Sequence, residues 1–265
     1  MKCDLCPRKC LVDRKKGEKG ICGQTENLKV ARAALHFWEE PCISGDAGAG
    51  AVFFSGCPLH CVFCQNENIA NGTVGKEISL ERLVDIFLEL QEKRANNINL
   101  VTPGHFVPQI VKALDQARKE GLTLPVVYNT SSYETVDTIK MLEGYVDIYL
   151  PDFKYMSPVL SKKYSHAPDY AEVAKAAIAE IVRQTGKAVF VNGEEDNLIL
   201  SGTIVRHLTL PGCMADSMQI LKYLHDTYGD MIYISIMNQF TPLSNLEKYP
   251  ELNRRITDEE YETLV

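Results

Sequence analysis

The stretch Ala51-Val52-Phe53-Phe54-Ser55-Gly56-Cys57-Pro58-Leu59-His60-Cys61-Val62-Phe63-Cys64 decides the reading of this chain. Its first four residues form an apolar run short enough for a buried strand. Gly56 lets the backbone turn sharply out of that strand. The loop beyond carries cysteines at C-x3-C-x2-C spacing. Thiolates select iron–sulfur clusters or zinc, and a fully ligated [4Fe-4S] cluster takes four protein ligands. Three tightly spaced cysteines without a fourth nearby leave one iron open, and chemistry at a metal needs such an open position. Barrel-like folds also place their active sites at the carboxyl ends of parallel strands, where this loop lies. The competing readings are a zinc site completed by His60, or three cysteines packed as core side chains.

Downstream, strand-like and helix-like segments alternate. Leu80 to Arg94 carries Leu83, Ile86, Phe87 and Leu90 at helical spacing behind Ser79, an N-cap residue type. Ile98–Val101 reads as a strand, Phe106 to Lys119 as a helix stopped at Gly121, Leu124–Tyr128 as a strand and Glu134 to Leu142 as a helix. Val146–Leu150 is the next strand and Tyr170 to Gln184 a long helix. Lys187–Val191 reads as a strand or the edge of an insertion, with a turn at Gly193-Glu194-Glu195-Asp196. Ile204–Leu210, a helix from Asp216 to Tyr228, and Met231–Ile236 complete the series. This alternation means parallel strands with right-handed crossovers. Six βα units are too few for a closed eight-unit barrel, so the expectation is an α/β fold, an open partial (β/α)6 barrel spanning residues 49–265. Thr257-Asp258-Glu259-Glu260 has capping-box form. The helix it opens is about two turns long, consistent with a docked helix or a truncated chain.

Residues 1–48 form a Cys-, Lys- and Gly-rich leader with little periodicity. Among 265 residues, nine cysteines are far from scattered: four fall at Cys3, Cys6, Cys10 and Cys22, three in the loop, and Cys42 and Cys213 stand alone. The amino terminus lacks the apolar core of a signal peptide, and no stretch reaches the ~20 apolar residues of a membrane span. A cytoplasmic location is therefore expected, and clustered cysteines in a reducing compartment indicate metal rather than disulfides. Four leader thiolates can close a coordination sphere, as zinc or as an auxiliary [4Fe-4S] cluster. A net charge of −7 offers no general attraction to phosphate backbones, so no nucleic-acid partner is expected. In His36-Phe37-Trp38-Glu39-Glu40-Pro41, a lid role competes with core packing of Trp38, and the latter is expected.

The cysteine loop and its setting resemble the radical S-adenosylmethionine superfamily, and most nearly its pyruvate formate-lyase activating enzyme group, in homologues with an amino-terminal cysteine cluster. The resemblance covers nearly the whole chain. Phe63 matches the aromatic residue before the third cysteine, and Asn66 matches the activases' Asn near the cofactor. Thr102-Pro103-Gly104-His105 stands at the glycine-rich turn that contacts the cofactor's amino group, departing from Gly-Gly-Glu-Pro but retaining Gly104. Asn129-Thr130-Ser131-Ser132 stands where the activases carry Asp-Thr-Asn-Gly. Asn129 would hydrogen-bond the ribose, without the negative charge. Leu150-Pro151-Asp152-Phe153-Lys154 parallels Leu-Asp-Leu-Lys, and Arg206-His207-Leu208-Thr209-Leu210-Pro211-Gly212 parallels Arg-Tyr-Val-Val-Val-Pro-Gly. Asp152 would then lie near a bound cation or the cofactor, with Lys154 and Arg206 on the cofactor carboxylate.

The resemblance implies an enzyme with a cluster on Cys57, Cys61 and Cys64. It would cleave S-adenosylmethionine reductively, and the resulting 5′-deoxyadenosyl radical would abstract hydrogen. A reductant such as flavodoxin or ferredoxin is implied, and the activase group implies a glycyl-radical protein as substrate. A small-molecule substrate is the alternative within this class. Outside it, the rival is a non-catalytic iron–sulfur or zinc protein that transfers electrons or binds a partner. For Asp152, Lys154 and Arg206 the plain reading is an ion pair at a barrel rim.

Overall fold

The computed structural model describes residues 2–193, 197–244 and 246–265, so the turn expected at 194–196 lies outside the described residues. The chain begins with a leader of turns and a short 3-10 segment, Arg14–Lys16, then enters strand β1 (Lys29–His36). Helix α1 (Pro41–Ser44), strand β2 (Ala49–Phe54), helix α2 (Glu67–Ala70) and strand β3 (Lys76–Glu77) follow. Next come α3 (Leu80–Glu92), β4 (Ile98–Val101), α4 (Val107–Lys119), β5 (Val126–Thr130), α5 (Val136–Lys140) and β6 (Ile148–Pro151). The remaining elements are α6 (Pro158–Ser165), α7 (Tyr170–Thr185), β7 (Val189–Phe190), β8 (Ile199–Leu208), α8 (Met214–Tyr228), β9 (Tyr233–Met237) and α9 (Asp258–Glu262).

The strands form one sheet in the order β3-β1-β2-β4-β5-β6-β8-β7, with β9 also on β8. The series β2, β4, β5, β6, β8, β9 is parallel throughout. β1 runs antiparallel to β2, and β7 antiparallel to β8. Among the described residues β9 and β3 do not meet, so the sheet stays open, as expected for six units.

The burial pattern explains the layering. β2, β4, β5 and β6 are almost wholly buried, as befits strands covered on both faces. Leu83 and Phe87 of α3 and Ile110 and Leu114 of α4 seal one side against Val52, Phe54, Leu100 and Tyr128. Each such side chain contributes about 1.5–3 kcal/mol by leaving water. A second, aromatic cluster of Phe63, Tyr155, Tyr164, Tyr170 and Phe240 gathers behind the cysteine loop, with Cys57 and Cys61 packed against it. Ser79 caps α3 by accepting the Arg82 N–H at 3.2 Å, and Thr257 and Glu260 close a capping box on α9.

Three expectations are corrected. The leader region, read as lacking periodicity, contains the eight-residue strand β1, whose half-exposed residues show no clear alternation. The helix expected over Glu134–Leu142 shrinks to α5, because Thr135 takes the N-cap and Glu134 turns inward. Trp38 is 90% exposed rather than packed in the core.

Candidate active site

The cysteine loop leaves β2 through Ser55 and Gly56. At Gly56, φ is 92° and a Cβ would lie 2.4 Å from the Cys22 carbonyl oxygen, so glycine is required by both conformation and the leader's proximity. The loop is held by the Gly56 N–H to the Ile69 carbonyl at 2.8 Å, the Val62 N–H to Tyr164 at 2.9 Å and the Cys64 N–H to Cys61 at 3.0 Å. Phe63 anchors it, with its ring edge-on to Tyr155, Tyr164 and Phe240.

The three sulfurs share one electrostatic environment. Burial pushes the Cys57 thiol up to about 12, and Cys61 and Cys64 add to the shift. Cys64 is raised by burial and by Cys61, and Lys154 pulls it back. The Ser165 hydroxyl donates to the Cys61 sulfur at 3.0 Å. A cavity of about 240 Å³ opens on Cys61, Cys64 and Glu67. His60 also borders this cavity, and its ring nitrogens lie 2.8 Å from the Ile21 carbonyl and 3.0 Å from Asn71 Oδ1, contacts to the leader and to the end of α2. Among the described residues no three Cys, His, Asp or Glu side chains converge on a single metal ion.

At the same carboxyl edge, β5, β6 and β8 bring Asn129, Asp152, Lys154 and Arg206 into one network. Lys154 Nζ lies 2.7 Å from Asp152 Oδ2, and the Arg206 guanidinium lies 3.1 Å from Asp152 Oδ1. Arg206 also donates to Asn129 Oδ1 at 2.7 Å. Glu39, from the segment after β1, completes the network: it meets Arg206 at 3.1 Å and accepts from Asn129 Nδ2 at 3.2 Å. Burial alone would raise Asp152, yet Lys154 and Arg206 outweigh it and hold the carboxylate low. Burial dominates at Glu39, whose carboxyl is raised despite Arg206. Lys154 and Arg206 are held charged against burial, Lys154 chiefly by Asp152 and also by Cys61. The network and the cysteine loop therefore feel one another.

Sequence reasoning missed Glu39 as part of this network, and it missed Glu134. A Cβ on Gly104 would stand 2.4 Å from both Glu134 carboxylate oxygens. Glu134 Oε1 accepts from Thr130 Oγ1 at 2.8 Å and Tyr128 Oη at 3.2 Å, while buried Oε2 has no partner among the described residues. Burial raises this carboxyl to about 7. Asn66 is exposed at the start of α2, two residues beyond Cys64, and its side chain makes no capping hydrogen bond there.

The leader docks directly beside the loop. Arg8 donates to the main-chain carbonyls of Pro58 and Ser165 at 2.9 and 3.0 Å and to that of His166, and it stacks on Tyr133. The hydroxyl of Thr138 holds the Leu5 carbonyl, and buried Arg14 reaches the His105 carbonyl. The sulfurs of Cys10 and Cys22 both border Gly20, 3.3 and 3.7 Å from where its Cβ would be. Burial raises Cys6 to about 12, with Glu134, Cys22 and Cys10 adding to the shift; burial also raises Cys22, with Cys3 and Cys10 contributing. Cys3, Cys6 and Cys10 thus all lie in the field of Cys22, and Cys6 in that of Cys10.

Residues 51–197, more than half the chain, match the sequence profile of the Radical SAM superfamily. The chain belongs to that superfamily. It is therefore an enzyme of radical SAM type, with an iron–sulfur cluster and S-adenosylmethionine as its cofactors. An uncharacterized protein of Methanocaldococcus jannaschii is 28% identical over 269 residues, covering 98% of this chain and 72% of the relative. Among solved structures, HydG, a maturase of the [FeFe]-hydrogenase, superposes with a TM-score of 0.51 at 14% identity, over 79% of this chain and 46% of HydG. The enzyme anSMEcpe with bound AdoMet gives 0.52 at 12% identity over 79% and 53% of the two chains. Its complex with AdoMet and the Kp18Cys peptide gives 0.53 at 13%, over 79% and 55%. The radical SAM chain thus spans about half the length of these proteins, which share its fold. Among its described residues no helix is long and apolar enough to cross a membrane.

Proposed function

We propose that this radical SAM enzyme holds its [4Fe-4S] cluster on Cys57, Cys61 and Cys64 and acts on a glycine in the backbone of a partner protein. The observation that carries the cluster assignment is the electrostatic proximity of three thiols on one loop, at the carboxyl edge of a parallel sheet and in the field of Lys154. The donor set fits the group. A cubane spreads its ligands over separate irons, so it needs neighbouring thiols rather than side chains converging on one ion. The cluster and S-adenosylmethionine supply, when bound, a one-electron reductive cleavage that yields a hydrogen-abstracting radical.

The protein's own groups bind, orient and shield. Lys154 and Arg206 are the cations suited to the cofactor's methionine carboxylate, since a guanidinium meets a carboxylate through two parallel hydrogen bonds. Asn129 offers an amide to the ribose, Gly104 and Asn66 flank the cofactor site, and Asp152 keeps both cations charged and aimed. Phe63, Tyr155, Tyr164 and Phe240 exclude water from the inner side of the loop. An electron donor such as flavodoxin or ferredoxin serves as reductant, and the glycine substrate rests on the likeness to the activase group. For the leader, Cys3, Cys6, Cys10 and Cys22 hold a second, closed site. Zinc and an auxiliary iron–sulfur cluster both suit four thiolates, and metal content separates them.

Oxygen-free, iron-loaded protein reduced with dithionite should release 5′-deoxyadenosine from S-adenosylmethionine. Cys61→Ala should lower that release by about a hundredfold or more, because two thiolates do not retain the cluster. Release by the variant at the unsubstituted rate would end the assignment. A glycine-centred radical in spin resonance, on adding a candidate partner protein, tests the substrate class.

A further inference from the structure

Two cavities, of about 340 and 240 Å³, lie end to end between β9 and the segment Trp38–Cys42, and both are bordered by Glu40, Pro41 and Ser235. Together they touch Tyr233, Ile234, Ser235, Ile236 and Met237 in succession. Consecutive residues of a strand face opposite sides of a sheet, so a space touched by all five reaches the edge of β9, while Phe190, Ile204 and Arg206 carry it onto the face that Tyr233 and Ser235 share with β8. Among the described residues β9 pairs on one side alone, with β8.

The ladder fixes which groups point outward. The Met237 carbonyl accepts from the Thr209 N–H at 3.0 Å. Alternation along a parallel pair then directs the main-chain groups of Ser235 toward β8 and those of Ile234 and Ile236 toward the groove. The Tyr261 hydroxyl already takes the Ile236 carbonyl at 3.2 Å. The Ile234 N–H and C=O and the Ile236 N–H have no partner on that side among the described residues. Charge points the same way. Arg206 is shared by Glu39 and Asp152 and also lies in the field of Glu40, which accepts a hydrogen bond from the Ser235 hydroxyl at 2.8 Å, so carboxylates outnumber the one guanidinium at this end. The groove is therefore acidic, and its Arg206 end joins the ion network at the barrel mouth.

We infer that this groove docks an extended, basic peptide of the substrate protein, which adds as a strand to the edge of β9 with a lysine or arginine at Glu40. The inference rests on the reading of the chain as an enzyme acting on a protein backbone and names how that backbone is held. Main-chain hydrogen bonds to Ile234 and Ile236 supply affinity and register, and alternate side chains supply specificity. The peptide runs toward Arg206, which brings its backbone to the candidate cofactor residues.

Trp38, the only tryptophan of the chain and 90% exposed on the groove's rim, reports occupancy by its fluorescence. The iron-loaded full chain with S-adenosylmethionine is titrated with acetyl-Thr-Val-Lys-Val-Gly-Val-Lys-Val-Thr-amide. The parent peptide should change the emission saturably. Versions with alternate amides N-methylated, or with glutamate for both lysines, should bind about tenfold or more weaker, the loss of about one charge-assisted or main-chain contact. Ile234→Pro, which removes an outward N–H and no ladder bond, should weaken the parent peptide similarly while the far-ultraviolet circular dichroism stays unchanged. If that variant fails to fold, the N-methyl series on the unsubstituted protein decides. No binding of the parent, or equal binding of all three peptides, overturns the inference. The same preparation is assayed for 5′-deoxyadenosine: release without peptide binding removes the groove and leaves the cofactor reading, and binding without release does the reverse.

Discussion

Gly104 lacks a side chain where Glu134 needs the room. A methyl group there would fall 2.4 Å from both carboxylate oxygens, so Gly104→Ala should destabilise the fold by about 1–3 kcal/mol. In a Glu134→Ala background the same change should be close to neutral, and urea unfolding of the four proteins measures the coupling. An equal penalty in both backgrounds would refute the contact. His105, beside it, is buried with Nε2 2.7 Å from the Ser55 carbonyl, and burial lowers its pKa to about 3. The neutral ring is favoured by folding, so its contribution is complete above the unfolded value near 6.5 and drains away as pH falls toward 3. Between pH 7 and 5 the loss should be about 2 kcal/mol, and His105→Gln should flatten that part of the stability profile. The cysteines of the loop were legible in sequence because their chemistry is written in adjacent positions. Glu39 was not, since its partner Arg206 lies 167 residues away and nothing in either segment announces the other.

Among elements, the parallel strands and long helices were legible because their apolar positions recur with the periods of buried strands and amphipathic helices. β1 was not. It pairs antiparallel at the flank of the sheet, and its burial alternates too weakly to leave a pattern. The leader is likewise ordered by contacts remote in sequence rather than by a core of its own. Arg8 is the chief of these, with three main-chain carbonyls and the Tyr133 ring around one guanidinium. Hydrogen bonds to a charged group are worth about 1.5–3 kcal/mol each. Arg8→Ala should therefore let the leader open while the sheet persists, raising the rate of tryptic cleavage after Lys15 or Lys16 by about tenfold or more. Unchanged cleavage would mean that the leader is held by other contacts.

For the whole molecule, the topology was readable as six strand–helix units, too few to close a barrel, and the open sheet bears that out. The leader's thiols can be counted in the sequence but not assigned an ion, since four cysteines suit zinc and iron–sulfur chemistry alike. The auxiliary-cluster reading predicts that Cys10→Ser/Cys22→Ser loses about four irons per chain while about four remain at the loop. Loss of zinc with iron unchanged would reverse that assignment.

The clamp formed by Arg8 also orders events in time. Its carbonyl partners at Ser165 and His166 emerge 157 and 158 residues later in synthesis, a lag on the order of 10–30 s at ordinary translation speeds. Until then the clamp is incomplete: the Pro58 carbonyl and the Tyr133 ring are in place, and two of its three carbonyl partners are still to come.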